Sequence, residues 1–217
     1  MDEFSLVTLN SAHAGQVSKL RTEAYRRRYG ERADVERLKW SPNDERFLNI
    51  GLLRKRDGEL VSIIRLAFLK TPLDFYKVVL LKHDPNRFEL PLVVIGRVAT
   101  AVEYEGKGLH GILRWAGLLI SKKAGAKSIV GTMEEGSLRL KQMGEIGYEF
   151  LMNEEPWEGY LKNEKPIVVG ILYADHRLDR GCEILAERFR ERKILFTDEI
   201  DYATATDKLR STESFVD

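Results

Sequence analysis

The sequence predicts an α/β fold, and three observations carry that expectation. Short apolar runs alternate with segments whose apolar residues recur at helical spacing. A hairpin signal sits at Asp57-Gly58, and residues 92–124 read as a strand, a glycine-rich turn and a helix.

Residues 4–9 alternate weakly and suit a first strand. Ser11 can then cap a helix carrying Val17, Leu20, Ala24 and Tyr25 on one face and ending near Gly30. Its other side holds Arg26, Arg27 and Arg28, which with Arg21 and Arg32 form a basic cluster that is either a solvated face or a docking point for an anionic partner. Residues 47–54 and 60–69 are the arms of the hairpin, because Asp-Gly readily takes the left-handed conformations of a tight turn. Residues 72–81 fit either a short helix or a strand, and His83-Asp84-Pro85-Asn86 breaks whichever forms.

The strand expected at 92–102 is interrupted only by Gly96, Arg97 and Thr100, and 109–124 repeats apolar residues at helical spacing through Ile112, Leu113, Ala116, Leu119 and Ile120. Gly125 closes that helix, 127–133 reads as a buried strand, and Ser137 caps a second helix that Gly147 ends. Residues 148–152 and 166–173 suit further strands, and 178–192 suits an amphipathic helix facing inward with Ile184, Leu185 and Phe189. The expected organisation is one domain over 1–197 and a polar tail over 198–217.

Composition narrows the function classes. Among 217 residues, 35 basic side chains stand against 34 acidic ones, so nothing demands nucleic acid as a partner. Cys182 is the single cysteine; it excludes an intramolecular disulfide and a thiolate zinc site, and reads as a buried apolar residue. His13, His83, His110 and His176 lack metal-ligand spacing, so no metal is expected. No apolar run reaches the length of a membrane span and the N-terminus lacks a signal-peptide pattern, so the expected location is the cytoplasm.

The chemistry centres on Gly106-Lys107-Gly108. A strand that enters a helix through close glycines leaves backbone N–H groups unpaired at the helix N-terminus, where they and the helix dipole favour an anion. A P-loop would need Ser or Thr after Lys107, where Gly108 stands. The glycines of a dinucleotide fingerprint do match at Gly106, Gly108 and Gly111, but the acidic residue expected about 20 positions on lies further away, at Glu134.

The string Val98-Ala99-Thr100-Ala101-Val102-Glu103-Tyr104-Glu105-Gly106-Lys107-Gly108-Leu109, with the strand, capped helix and Gly147-Tyr148 that follow, resembles the central motif of the GNAT superfamily of N-acetyltransferases. Leu20-Arg21-x-x-x-Tyr25, Trp40-Ser41-Pro42-Asn43-Asp44, Ile64-Arg65-Leu66 and Gly96-Arg97 are similar to the branch containing acyl-homoserine lactone synthases and N-acyl amino acid synthases. The resemblance implies a mixed, mostly antiparallel central sheet flanked by helices and splayed at residues 92–102. It implies direct transfer of an acyl group from acetyl-CoA or a longer acyl-CoA, or from acyl carrier protein, to an amine of a small molecule or amino acid. Backbone of Val98, Ala99, Thr100, Ala101 and Val102 would then meet the pantetheine arm, and Lys107, Gly108, Leu109, His110 and Gly111 the pyrophosphate.

The family's tyrosine acid corresponds to Met143 and the lactone synthases' strand glutamate to Val94, so the titratable groups must come from elsewhere, or the protein binds CoA or a partner without turnover. Candidate bases are Glu134, Glu103 and Asp44, beside Glu45 and Glu135, with Glu134 preferred because the resemblance places that strand end against the thioester. Glu105 stands beside the expected phosphates and must point away or be offset by Lys107. His110 is either a surface or capping histidine or a protonated phosphate ligand. Arg97, on an apolar strand, requires an anion: Asp44 in a structural pair, or a substrate carboxylate. Tyr148, Trp157, Tyr160 and Tyr173 are either core or pocket lining.

Overall fold

A computed structural model describes residues 2–79, 88–153 and 167–211. Its frame is a sheet of 8 strands in the order β6-β7-β5-β4-β3-β2-β1-β8. The strands are β1 (Glu3–Leu9), β2 (Leu48–Arg54), β3 (Glu59–Leu69), β4 (Leu92–Thr100), β5 (Ser128–Glu134), β6 (Glu149–Asn153), β7 (Ile167–Tyr173) and β8 (Leu195–Asp198). Pairing is antiparallel except between β4 and β5 and between β1 and β8. The fold is therefore α/β with a mixed, mostly antiparallel sheet.

Both faces of the sheet are covered, which is why β2 and β3 read as nearly continuous apolar runs rather than as an alternating pattern. On one face α5 (Leu109–Ala124), α7 (His176–Glu191) and α8 (Tyr202–Arg210) pack over Ile50, Leu52, Ile64 and Val93. On the other, α1 (Ala14–Tyr29), α2 (Val35–Leu38) and α4 (Pro72–Val79) cover Leu9, Ile63, Leu69 and Val94. The short α3 (Pro42–Glu45) and α6 (Leu138–Glu145) complete the set.

Local chemistry explains most boundaries. Gly58, at φ +68, donates to the Arg54 carbonyl at 2.8 Å and turns the β2–β3 hairpin. Gly125 ends α5 in the left-handed region at φ +80, and the Ser137 hydroxyl caps α6 by accepting from the Arg139 N–H. The segment at 72–79 is the helix α4, whereas the breaker at 83–86 and the aromatics Trp157 and Tyr160 lie outside the described residues.

Two expectations are corrected. The cap before α1 is Asn10 rather than Ser11, its side chain accepting from the Ala12 N–H at 3.1 Å, because a single 3-10 turn precedes the helix. The stretch from 198 is more than a polar tail: Asp201 caps α8, which buries Ala205 and Leu209 in the core. Besides this i, i+4 pair the helix buries only the polar Thr206, so few apolar positions mark the helical period for a reading of sequence alone.

Candidate active site

The parallel pair β4 and β5 stays in register for three steps, Leu92 to Ser128, Val93 to Ile129 and Val94 to Val130. Beyond Val94 the two strands part. The cause lies on β4, where Arg65 of β3 faces Gly96 but Ile63 faces Ala99, so β4 carries an extra residue between them. Arg97 occupies this bulge with φ +53, an uncommon conformation for a side chain other than glycine. A bulged strand bends, and here the bend opens a wedge next to β5.

Below the bulge β4 rejoins β3. Ala101 N–H donates to the Val61 carbonyl at 2.8 Å, and the Ser62 hydroxyl donates to the Ala99 carbonyl at 3.3 Å. Backbone groups alternate along a strand, so those of Val98 and Thr100 turn to the wedge. The chain then passes through a 3-10 turn over Val102–Tyr104 to Gly106 and Gly108, with φ of +74 and +90, and into α5. Gly111 N–H is spent on the Gly108 carbonyl at 2.8 Å. The N–H groups of Gly106, Gly108, Leu109 and His110 donate to no partner among the described residues.

A cavity of about 420 Å³ joins these features, bounded by α1, the end of β4, the glycine turn, the start of α5, α6 and α7. Arg192 spans the turn, its Nη1 donating to the Gly106 carbonyl at 2.8 Å. Glu105 is held by Arg27 of α1, so its charge is neutralised by α1 rather than by Lys107, whose Nζ lies 4.8 Å from the Tyr104 ring centre. A smaller cavity of about 50 Å³ lies between the parted ends of β4 and β5, among Gly96, Arg97, Gly131, Met133 and Glu134. The two cavities share Tyr25, Tyr29, Val98, Arg114, Arg139 and Met143.

The structure brings some of the expected residues together and separates others. Val98, Ala99, Thr100, Gly108, Leu109, His110 and Gly111 line the larger cavity. Ala101, Val102 and Glu103 line a different one of about 510 Å³ against α1 and the hairpin, and Lys107 lines one of about 590 Å³ with Lys193. Glu134 lines the small cavity, its side chain 12% exposed and paired with Arg32 at 3.1 Å.

Asp44 is 2% exposed and sits in a buried network. Arg21 meets its Oδ1 at 2.8 Å and Arg65 at 3.6 Å, while Arg21 also donates to Asn49 at 2.9 Å. Burial alone would raise the Asp44 carboxyl, but the guanidinium of Arg21 and then that of Arg65 outweigh it and hold it below its ordinary range. The expected Arg97–Asp44 pair is corrected: Arg21 reaches Asp44 from α1, and Arg97, turned by the bulge, donates from Nη1 to the Arg37 carbonyl.

His110, expected as a surface or capping histidine or as a protonated phosphate ligand, has a buried Nδ1 and an environment that disfavours the charged imidazole. Burial first, then the charges of Arg114 and Arg139, push it well below its ordinary value. Arg114 can only donate, so the His110 Nε2 at 3.3 Å from Arg114 Nη2 is an acceptor, and the proton sits on Nδ1. That buried Nδ1 has no partner among the described residues. Tyr148 is core at 4% exposed, its hydroxyl accepting from Arg114 Nη1 at 2.9 Å, and Tyr173 is half-buried against Arg177. Cys182 is 8% exposed, and burial pushes its thiol up to about 11.

Four site residues escaped the reading of sequence: Tyr25 as more than core, Tyr29, Arg114 and Arg139. A signal existed in the i, i+4 spacings of Tyr25 with Tyr29 and His110 with Arg114, each pair reaching one helix face. Among the described residues no group of three metal-ligating side chains forms, and no helix is long and apolar enough to cross a membrane.

No family model matches the chain, and no curated protein matches it in sequence. Solved structures do. BjaI, a CoA-dependent acyl-homoserine lactone synthase solved with MTA, aligns at 15% identity over 94% of this chain and 99% of its own, with a TM-score of 0.62. FeeM, an N-acyl amino acid synthase from uncultured soil microbes, aligns at 10% identity over 79% and 92%, TM-score 0.56. The ribosomal-protein-S18-alanine N-acetyltransferase of Escherichia coli aligns at 13% identity over 79% and 94%, TM-score 0.51. With a mixed sheet parted beside a glycine turn and these structures as its neighbours, the chain has the GNAT-like fold shared by acyl-homoserine lactone synthases, N-acyl amino acid synthases and N-acetyltransferases.

Proposed function

We propose that the protein is an N-acyltransferase moving a short acyl group directly from a CoA thioester, with acyl carrier protein as the alternative carrier, to an amine of a small molecule or amino acid. The observation that carries this reading is the parting of β4 from β5 after Val94 over a wall that runs without a break to the glycine turn. BjaI has also been solved with SAM and isopentyl-CoA, which makes a CoA thioester the first donor to test. The outward backbone of Val98 and Thr100 suits a pantetheine arm, and the unspent N–H groups of Gly106, Gly108, Leu109 and His110, with the Nδ1–H of His110, suit a pyrophosphate.

In the proposed step the amine nitrogen bonds to the thioester carbonyl carbon, the C–S bond breaks, and the N–H proton released as the amide forms passes to the leaving sulfur, so that CoA departs as its thiol. Glu134, in the small cavity, takes the ammonium proton directly or through water. Asp44 is assigned to the fold rather than to the base, and Glu103, outside both cavities, is set aside. Arg97, beside Glu134, remains a candidate for binding the acceptor. The small cavity has room for only a few heavy atoms, which favours acetyl to butyryl over long chains.

Thermal shift with CoA, acetyl-, butyryl- and octanoyl-CoA and an acyl carrier protein tests the donor: short thioesters should raise Tm, and no shift by any of them removes the assignment. Glu134→Gln should lower thiol release with a panel of amines by about 100-fold or more without weakening donor binding. A role without turnover is favoured by Met143, 4% exposed where the family places a tyrosine. Donor binding with no thiol release for any amine would select it.

A further inference from the structure

Arg114 is 7% exposed, lines both cavities and has no carboxylate within ion-pairing distance among the described residues. Its Nη groups meet only neutral atoms, the Tyr148 hydroxyl and His110 Nε2, and its buried Nε meets none. Arg139, at the start of α6, is half-buried on the same two cavities, and its guanidinium forms no hydrogen bond or ion pair among the described residues. Arg28, nearby on α1, donates to the Ser137 hydroxyl at 3.4 Å and lies over the Tyr29 ring, 5.4 Å from its centre, with no carboxylate partner among the described residues. Burial and then the charge of Arg28 lower the Arg139 guanidinium from its ordinary value, so these cations are held together at a cost. Elsewhere the fold neutralises such groups, as Asp44 does for Arg21 and Glu105 for Arg27. A buried charge left without its counterion is destabilising unless a ligand supplies it.

The position of the pair indicates which anion. Pyrophosphate at the turn would be served by the N–H groups of Gly106, Gly108, Leu109 and His110, yet Gly106, Gly108 and His110 do not line the small cavity, while Arg114 and Arg139 do. The pair stands at the junction of the two cavities, beside Val98, where the proposed reading places the thioester. We propose that Arg114 and Arg139 bind a substrate carboxylate at the splay, carried either by the acyl group, as in a short dicarboxylic acyl thioester, or by an amino acid acceptor. This proposal rests on the acyltransferase reading. Planar guanidinium groups lining the same two cavities suit the oxygens of a carboxylate, and the same charges disfavour an unsubstituted ammonium nearby.

The test uses the full chain and Arg139→Gln, which breaks no side-chain hydrogen bond or ion pair among the described residues, with Arg114→Lys as the second variant because Arg114 also holds Tyr148. Titrations with CoA, butyryl-CoA and succinyl-CoA form the donor arm. Thiol release with L-amino acids against the matching amino acid amides forms the acceptor arm. A carboxylate on the donor is supported if succinyl-CoA binds at least about tenfold more tightly than butyryl-CoA and Arg139→Gln removes the difference while CoA binding holds. A carboxylate on the acceptor is supported if amino acids react, amides do not, and Arg139→Gln raises KM for the amino acid about tenfold or more. CoA binding with no carboxylate preference in either arm overturns the proposal alone, as does an equal loss for CoA and succinyl-CoA in the variants, which would give the arginines to the donor phosphates. No binding of any CoA compound, together with no thermal shift by acyl carrier protein, sinks the acyltransferase reading and this proposal with it.

Discussion

Replacing Asp44 by Ala leaves Arg21, fully buried, without its carboxylate. Breaking a pair of this kind costs about 3–5 kcal/mol, so Asp44→Ala should lower the urea midpoint far more than a surface change does. The same pair gives acid sensitivity. Because the folded carboxyl is held below its ordinary 3.8, its contribution is complete above that value and is lost as pH falls further. His110 has the opposite charge type and a different window. It is held neutral below its ordinary 6.5, so the unfolded chain takes the proton first and stability declines as pH drops through about 6.5. Urea midpoints at about pH 7.5 and about pH 5.5 should separate in the wild type and separate less in His110→Gln.

At the scale of elements, the turn between β4 and α5 depends on glycine for two distinct reasons. Gly108 has φ +90, and a Cβ there would meet the Arg192 side chain at 3.0 Å. Gly108→Ala should cost about 1–2 kcal/mol in the left-handed conformation and, by displacing Arg192 from the Gly106 carbonyl, weaken CoA binding in titration. Gly15, in α1 with nothing within 4 Å of the place a Cβ would take, supplies the control: Gly15→Ala should leave stability unchanged or raise it by up to about 1 kcal/mol. Gly117 serves packing instead, since a Cβ would lie 3.3 Å from Ile64 and from Leu66, so this glycine lets α5 approach β3 closely.

Across the whole molecule, the C-terminal segment closes the architecture. β8 adds a parallel edge strand beside β1, and α8 buries Ala205 at 1% and Leu209 at 0% exposure against α5. Arg210 also donates to the Lys123 and Ala124 carbonyls at the end of α5, at 2.7 and 3.1 Å. A buried leucine is worth about 1.5–3 kcal/mol, so a chain ending before Asp201 should melt at least about 5 °C lower by calorimetry. An unchanged Tm would mean that α8 contributes nothing to the core.

Much of this molecule was legible in its amino acids because the signals are local. The Asp57-Gly58 turn, the span of α5 and its closing Gly125, the Ser137 cap and the anion-ready turn each depend on residues adjacent in the chain. Contacts between distant segments had no such signal. Nothing adjacent to Asp44 names Arg21 of α1 as its partner, nothing beside Glu105 names Arg27, and the bulge at Arg97 exists only through its register with β3. The sequence by itself determined most of the elements and the glycine turn, since backbone conformation and capping act over a few residues. Tertiary structure alone decided which charges are neutralised, which leave Arg114 and Arg139 facing the splay, and how little room lies beyond it, because burial and pairing depend on segments far apart in the chain.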